Sequence, residues 1–191
     1  MAFLTSIRRG AAFRSARWFL ALALLSAAGT RAAVPSAEYQ LKAIFLFNFA
    51  QFVEWPSRAV AGELAPFVIG VLGDDPFGAY LDETVRGERI ANHPIVVRRY
   101  RRAEEVTGCH VLFISRSEIA QMGQIVAGFK GQSILTVGDV DDFNRLGGIV
   151  RFVTEQGKIR LRIDVQAAQS AGLKISSKLL RSAMIVTQEH E

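Results

Sequence analysis

The stretch FVIGVLGDDP, residues 67–76, decides how this chain folds. Its first six residues are all apolar and a turn signal follows, the pattern of a short central strand. Gly73-Asp74-Asp75 then turns the chain. Proline at a first helical position, with aspartate just before it, opens a helix over about residues 76–85.

Toward the C-terminus the same alternation continues. Residues 93–100 (HPIVVRRY), 110–114 (HVLFI) and 133–137 (SILTV) read as three further strands. A single helical turn at Glu104-Glu105, a helix over 119–129 opened by Ser117-Glu118, and a short helix or turn at 141–146 lie between and after them. Residues 149–155 and 158–165 read as a β-hairpin turning at Gln156-Gly157. Residues 166–171 are helical with Gly172 as the cap, and a last helix is predicted over 176–186. Toward the N-terminus, Ser36 suits an N-cap for a helix over 37–53. There Leu41, Ile44, Phe45, Phe49 and Phe52 recur at helical spacing, and Leu46 and Phe47 widen the apolar surface. Trp55-Pro56 ends that helix, because a residue before proline avoids helical geometry. The expected fold class is α/β. We expect a mixed, mostly parallel sheet of about five to six strands, helices on both faces, and a C-terminal β-hairpin at the edge.

The first 32 residues read as a signal peptide rather than as fold. Arg8, Arg9, Arg14 and Arg17 precede an uncharged apolar run, WFLALALLSAA over 18–28, and small residues follow. The run is shorter than the ~20 residues a membrane span needs. Cleavage is expected after Ala32, with Ala28 or Ala33 as other sites; an uncleaved anchor is the alternative reading. The chain carries 23 Lys+Arg against 18 Asp+Glu, and five of those arginines lie in residues 1–32, which hold no acid. Removing them leaves 18 against 18, so the exported part is neutral and the basic-protein argument for nucleic acid falls away. A single α/β domain over 36–187 is expected, with no membrane span after cleavage.

Catalytic signatures are missing. Gly128-Phe129 stands where a phosphate-binding loop needs Gly-Lys, and no G-x-S-x-G elbow occurs. Cys109 and His110 are adjacent on a strand, so their side chains point to opposite faces and make a poor catalytic pair. Cys109 has three open readings: a small buried apolar residue, an intermolecular disulfide, or a redox-sensing thiol. Asp139, Asp141 and Asp142 lack calcium-loop spacing and read as a solvated loop with a capping aspartate. Arg98, Arg99, Arg101 and Arg102 flank Tyr100 and read either as a solvated strand end or as a contact for anionic lipid or an acidic partner. No enzyme activity, cofactor or metal is expected.

Several separated motifs resemble one family. Glu38-Tyr39, Lys42-Ala43, Phe45-Leu46, Asn48-Phe49 and residues 52–56 (FVEWP) resemble the start of YfiR-like proteins. Residues 67–74 (FVIGVLGD), 109–115 (CHVLFIS) and 171–180 (AGLKISSKLL) fit the same family. The resemblance implies a periplasmic α/β protein, often dimeric, which in its best-understood member represses a membrane diguanylate cyclase by binding its periplasmic part. That member is regulated through cysteine pairs. Here Cys109 matches one such cysteine, its partner position near 67–69 is apolar, and region 146–152 lacks the second pair.

Two function classes follow. The first is a non-enzymatic periplasmic regulator that binds a membrane signalling protein, or a second copy of itself. It would use Phe47 and Trp55 of the aromatic helix with Leu173, Ile175 and Leu179 of the C-terminal segment. The second is a periplasmic small-ligand-binding protein with a crevice near Gly73-Asp74 and Ser115, at the carboxyl ends of the strands.

Overall fold

A computed structural model describes residues 36–57, 59, 62 and 65–186. The signal-peptide expectation for residues 1–32 lies outside the described residues. Ser36 accepts a hydrogen bond from the Tyr39 amide at 3.4 Å and starts helix α1, Ala37–Phe52. The chain then extends into a two-residue strand β1, Val53–Glu54, just before the Trp55-Pro56 stop. Strand β2, Phe67–Leu72, has the bounds its apolar run predicts and is buried at every position.

After β2, Asp75 accepts from the Phe77 amide at 2.7 Å. Gly78 sits at a φ of 53°, so α2 is Ala79–Val85 and begins later than Pro76 suggests. Strands β3, Arg89–Ile90, and β4, His93–Tyr100, follow, then a 3₁₀ turn at Ala103–Glu105 and strand β5, Val111–Ile114. The expected helix at 119–129 is split into a 3₁₀ turn, Arg116–Gln121, and helix α3, Met122–Gly128. Strand β6 is Leu135–Gly138, and the hairpin is β7, Val150–Glu155, with β8, Lys158–Asp164. Helix α4, Val165–Ser170, leads to β9, Lys174–Ile175, helix α5, Ser177–Leu180, and β10, Ala183–Val186.

The main sheet has eight strands in the order β10-β8-β7-β6-β5-β2-β4-β3. From β4 to β7 all neighbours run parallel; β7–β8 and β3–β4 are antiparallel. The α/β class and mostly parallel sheet are as expected, and the strand count is higher than five to six. The last helix is the main correction. Only Ser177–Leu180 is helical, and Ala183–Val186 instead pairs parallel with β8. Ile185 and Val186 are β-branched and suit a strand, and β8 offers them an otherwise open edge. The hairpin therefore lies inside the sheet, not at its edge.

Side chains alternate across the sheet into two core clusters, one per face. Phe67, Ile69, Val71, Val111 and Phe113 pack with Leu46 and Phe49 of α1 and Leu81 of α2. Val68, Leu72, Leu112 and Ile114 pack with Met122 and Ile125 of α3. Gly70 is required where it stands, because a Cβ there would lie 2.7 Å from the Cys109 Sγ and 2.8 Å from the Tyr100 ring.

Candidate interaction surface

The outward surface of α1 is set by a charge buried beneath it. Lys42 is 1% exposed and lies on the stripe of Leu46, Phe49 and Val53, so its ammonium points into the protein. Nζ reaches Asp139 Oδ2 at 2.6 Å and Glu38 Oε1 at 2.6 Å. Asp139 follows β6 and also accepts from the Tyr39 hydroxyl at 3.0 Å and from Arg116 Nε at 3.0 Å. Burial pushes the Asp139 carboxyl up, but the Lys42 hydrogen bond and charge, with Arg116, outweigh it and hold the pKa below its ordinary value. Burial and the neighbouring carboxylate raise the Tyr39 phenol to about 12. The acidic loop is thus a structural anchor at Asp139, which is 4% exposed and not solvated. Asp141 pairs with Arg151 and Asp142 with Arg145.

This clamp fixes the rotation of α1, and Leu41 and Ile44 are left 43% and 38% exposed. They share an outward stripe with Ala37, Asn48 and Gln51, at helical spacing. The sequence counts Leu41 and Ile44 in one apolar set with Phe45, Phe49 and Phe52, without saying which of them face outward. The alternative stripe through Lys42 is the buried one.

The residues expected at an interface are placed unequally. Leu173 and Leu179 are 1% and 6% exposed in the core and offer a partner no area. Phe47, Trp55 and Ile175 are half-buried against that core. The two segments named from sequence do meet. Val53 pairs with Ile175 and Glu54 with Lys174 in an antiparallel ladder, the Ser176 amide donates to the Phe52 carbonyl at 2.9 Å, and Lys178 Nζ sits 5.0 Å from the Phe52 ring centre. Trp55 packs edge-on to Phe67 with ring centres 4.9 Å apart.

Cys109 and His110 lie on opposite faces of the sheet, as adjacent strand residues must. Cys109 is 5% exposed, and burial pushes its thiol up to about 12. His110 stacks on Phe67 with ring centres 4.4 Å apart. Its Nδ1 accepts from the Val68 amide at 3.0 Å and its Nε2 donates to the Ala59 carbonyl at 3.0 Å, which assigns the neutral tautomer. Burial lowers the His110 pKa.

Two of the four arginines in the run are committed to local ion pairs. Arg99 donates to Asp75 at 2.7 Å and Asp82 at 2.5 Å, and Arg102 to Glu105 at 2.9 Å. The expected crevice at Gly73-Asp74 and Ser115 is closed by the turn at Arg116–Gln121. The Asp74 amide donates to Ser117 Oγ at 2.9 Å, and a Cβ on Gly73 would lie 2.6 Å from Glu118 Oε1. Cavities lie elsewhere, one of about 410 Å³ between the end of α3 and the start of α4.

The sequence matches the YfiR/HmsC-like family over residues 39–184, most of the chain. The chain belongs to the YfiR/HmsC-like family. That match takes in most of α1, the parallel strands, the hairpin and the start of β10, so Tyr39, Lys42, Arg116 and Asp139 of the clamp, and Leu41 and Ile44, fall within it. No curated protein matches the sequence. Among solved structures, the chain is similar to the ABC domain from Streptococcus pneumonia in complex with L-Trp, at 11% identity and a TM-score of 0.49. The alignment covers 75% of this chain and 60% of that one, so the chain spans under two thirds of that structure's length. A likeness at that level carries no argument about function. Among the described residues, no helix is long and apolar enough to cross a membrane.

Proposed function

We propose that this protein is an exported, periplasmic, non-enzymatic regulator. It binds the periplasmic part of a membrane signalling protein and holds it inactive, a diguanylate cyclase being the partner type that the family implies. The signal-peptide pattern of residues 1–32 supports export of a single domain over 36–187. The observation that carries the docking part is the pair Leu41 and Ile44, exposed on a helix whose rotation a buried ion pair fixes. Large apolar residues held outward on a rigid element suit an interface anchor. Phe47, and the half-buried Trp55 and Ile175 at the β1–β9 ladder, extend that surface.

The test is co-purification of the tagged chain with its partner from native membranes, after mild crosslinking. Leu41→Glu/Ile44→Glu should abolish recovery of a membrane signalling protein that the wild type retains, while circular dichroism stays unchanged. Equal recovery by the folded double variant removes α1 as the docking surface. Recovery of no membrane protein by the wild type removes the repressor reading itself.

A further inference from the structure

The second core cluster takes no residue from β7, β8 or β10, so the sheet face opposite α1 carries a polar surface over those strands. The register places Arg151, Val153 and Glu155 of β7 on that face. Lys158, Arg160 and Arg162 of β8 and Met184 of β10 share it. Arg151 stands directly across from Arg162. Like charges directly opposite on neighbouring strands destabilise a sheet, so this pair needs an explanation.

The acids on that face do not supply a full one: Asp164, two positions from Arg162, is buried and caps α4 by accepting from the Ala167 amide, and its Oδ2 has no hydrogen-bond partner. Arg151 Nη2 pairs with Asp141, whose side chain is 98% exposed on the loop after β6. Arg162 meets Glu155 only at 3.8 Å, and Glu155 is shared with Arg160 at 3.6 Å. The Nε atoms of both Arg151 and Arg162 are buried with no hydrogen-bond partner. Two arginines directly opposite in the register, each with an unused Nε donor, carry the donors that suit the two oxygens of a carboxylate or the three of a phosphate. The side chains are 14% and 37% exposed, so an anion that takes the buried Nε donors must first displace the present side-chain arrangement.

We propose that Arg151 and Arg162 form a binding site for a small multivalent oxyanion. The anion bridges the two guanidiniums through their Nε edges and relieves their repulsion, with Arg160 at the rim. The site lies on the opposite face of the sheet from α1 and does not depend on the docking reading.

The experiment is calorimetric titration of the purified full chain with citrate and, separately, inorganic phosphate, at ionic strength held constant with sodium chloride. Wild type should bind at least one of them saturably. Citrate alone marks a carboxylate site, phosphate alone a phosphate site, and both a general oxyanion site. Losing one charged hydrogen bond is worth roughly a tenfold change in affinity, so Arg162→Gln and Arg162→Lys should each bind at least about tenfold more weakly. Arg101→Gln, an exposed arginine outside this face, should bind as wild type does. A second readout needs no ligand affinity: in chloride buffer Arg162→Gln should melt higher than wild type, and citrate or phosphate should raise the melting point of wild type only. No saturable binding of either anion, equal loss in Arg101→Gln, or a lower melting point for Arg162→Gln in chloride would each overturn the assignment.

Discussion

Replacing Asp139 with alanine tests whether α1 is clamped as the geometry indicates. The carboxylate accepts from three side chains: Lys42 at 2.6 Å, Tyr39 at 3.0 Å and Arg116 at 3.0 Å. Without it, the ammonium of Lys42 keeps only Glu38, whose side chain is 39% exposed. Removing one partner of a buried ion pair costs about 3–5 kcal/mol. The Tyr39 hydroxyl, left without its acceptor, adds about 1 kcal/mol. Relaxation of Lys42 toward Glu38 and solvent offsets part of this, so the net loss should be about 3–4 kcal/mol. For a domain of this size that lowers the melting point by roughly 6–16 °C. Lys42→Met should cost less, about 1.5–3 kcal/mol, because Asp139 keeps Arg116 and Tyr39. Since the two residues touch, the double variant should lose less than the sum of the singles.

The same group sets an acid limit. The folded-state pKa of Asp139 lies below its ordinary 3.8. Its contribution is therefore fully present above about pH 4 and is lost as pH falls through the folded value. Urea unfolding followed by circular dichroism, repeated from pH 7 to pH 2.5, measures both effects. Asp139→Asn should show a shallower fall below pH 4 than wild type. A loss under about 1 kcal/mol for Asp139→Ala, or identical acid profiles for wild type and Asp139→Asn, would refute the clamp.

Three further outcomes follow from the buried sheet. Gly70→Ala should cost about 1–3 kcal/mol by overpacking, since its Cβ meets the Cys109 sulfur at 2.7 Å; if Gly70→Ala/Cys109→Ala in urea unfolding recovers none of that loss, the sulfur is not the obstacle. The Cys109 thiol, buried and raised to about 12, should react with a colorimetric disulfide reagent far more slowly in native protein than in urea at neutral pH, and comparable rates would show it to be accessible. His110 has a folded pKa below its ordinary 6.5, so its contribution is present above about pH 6.5 and lost as pH falls below it. Stability measured between pH 7.5 and pH 5 should fall less steeply for His110→Gln, and an equal slope would assign that pH dependence to another group.

The parts of the fold that were legible in the sequence are those where local pattern and final environment agree. Residues 67–72 and 111–114 are apolar without interruption because both faces of those strands are covered. Ala183–Val186 was illegible for the opposite reason. Ser176 caps a one-turn helix, accepting from the Leu179 amide at 3.3 Å. What stops that helix after one turn is the open edge of β8, a partner some twenty residues away that no local window contains.

The rotation of α1 was not legible from periodicity. Both of its stripes, one through Leu41 and Ile44 and one through Leu46 and Phe49, are apolar, so periodicity alone cannot choose between them. A lysine in the second stripe argues for exposing it, since an unpaired buried ammonium is prohibitive. The structure buries that stripe nonetheless, because Asp139, 97 positions away, brings a carboxylate to within 2.6 Å of the ammonium. The lysine is therefore the signal in the sequence from which the rotation can be read. A basic residue aligned with Phe49 and Val53 implies a buried acid at the end of a neighbouring strand, and the acidic run GDVDDF after β6 holds such an acid. Once that pair is made, exposure of Leu41 and Ile44 follows from helical geometry alone, and the candidate interface is the geometric complement of the clamp.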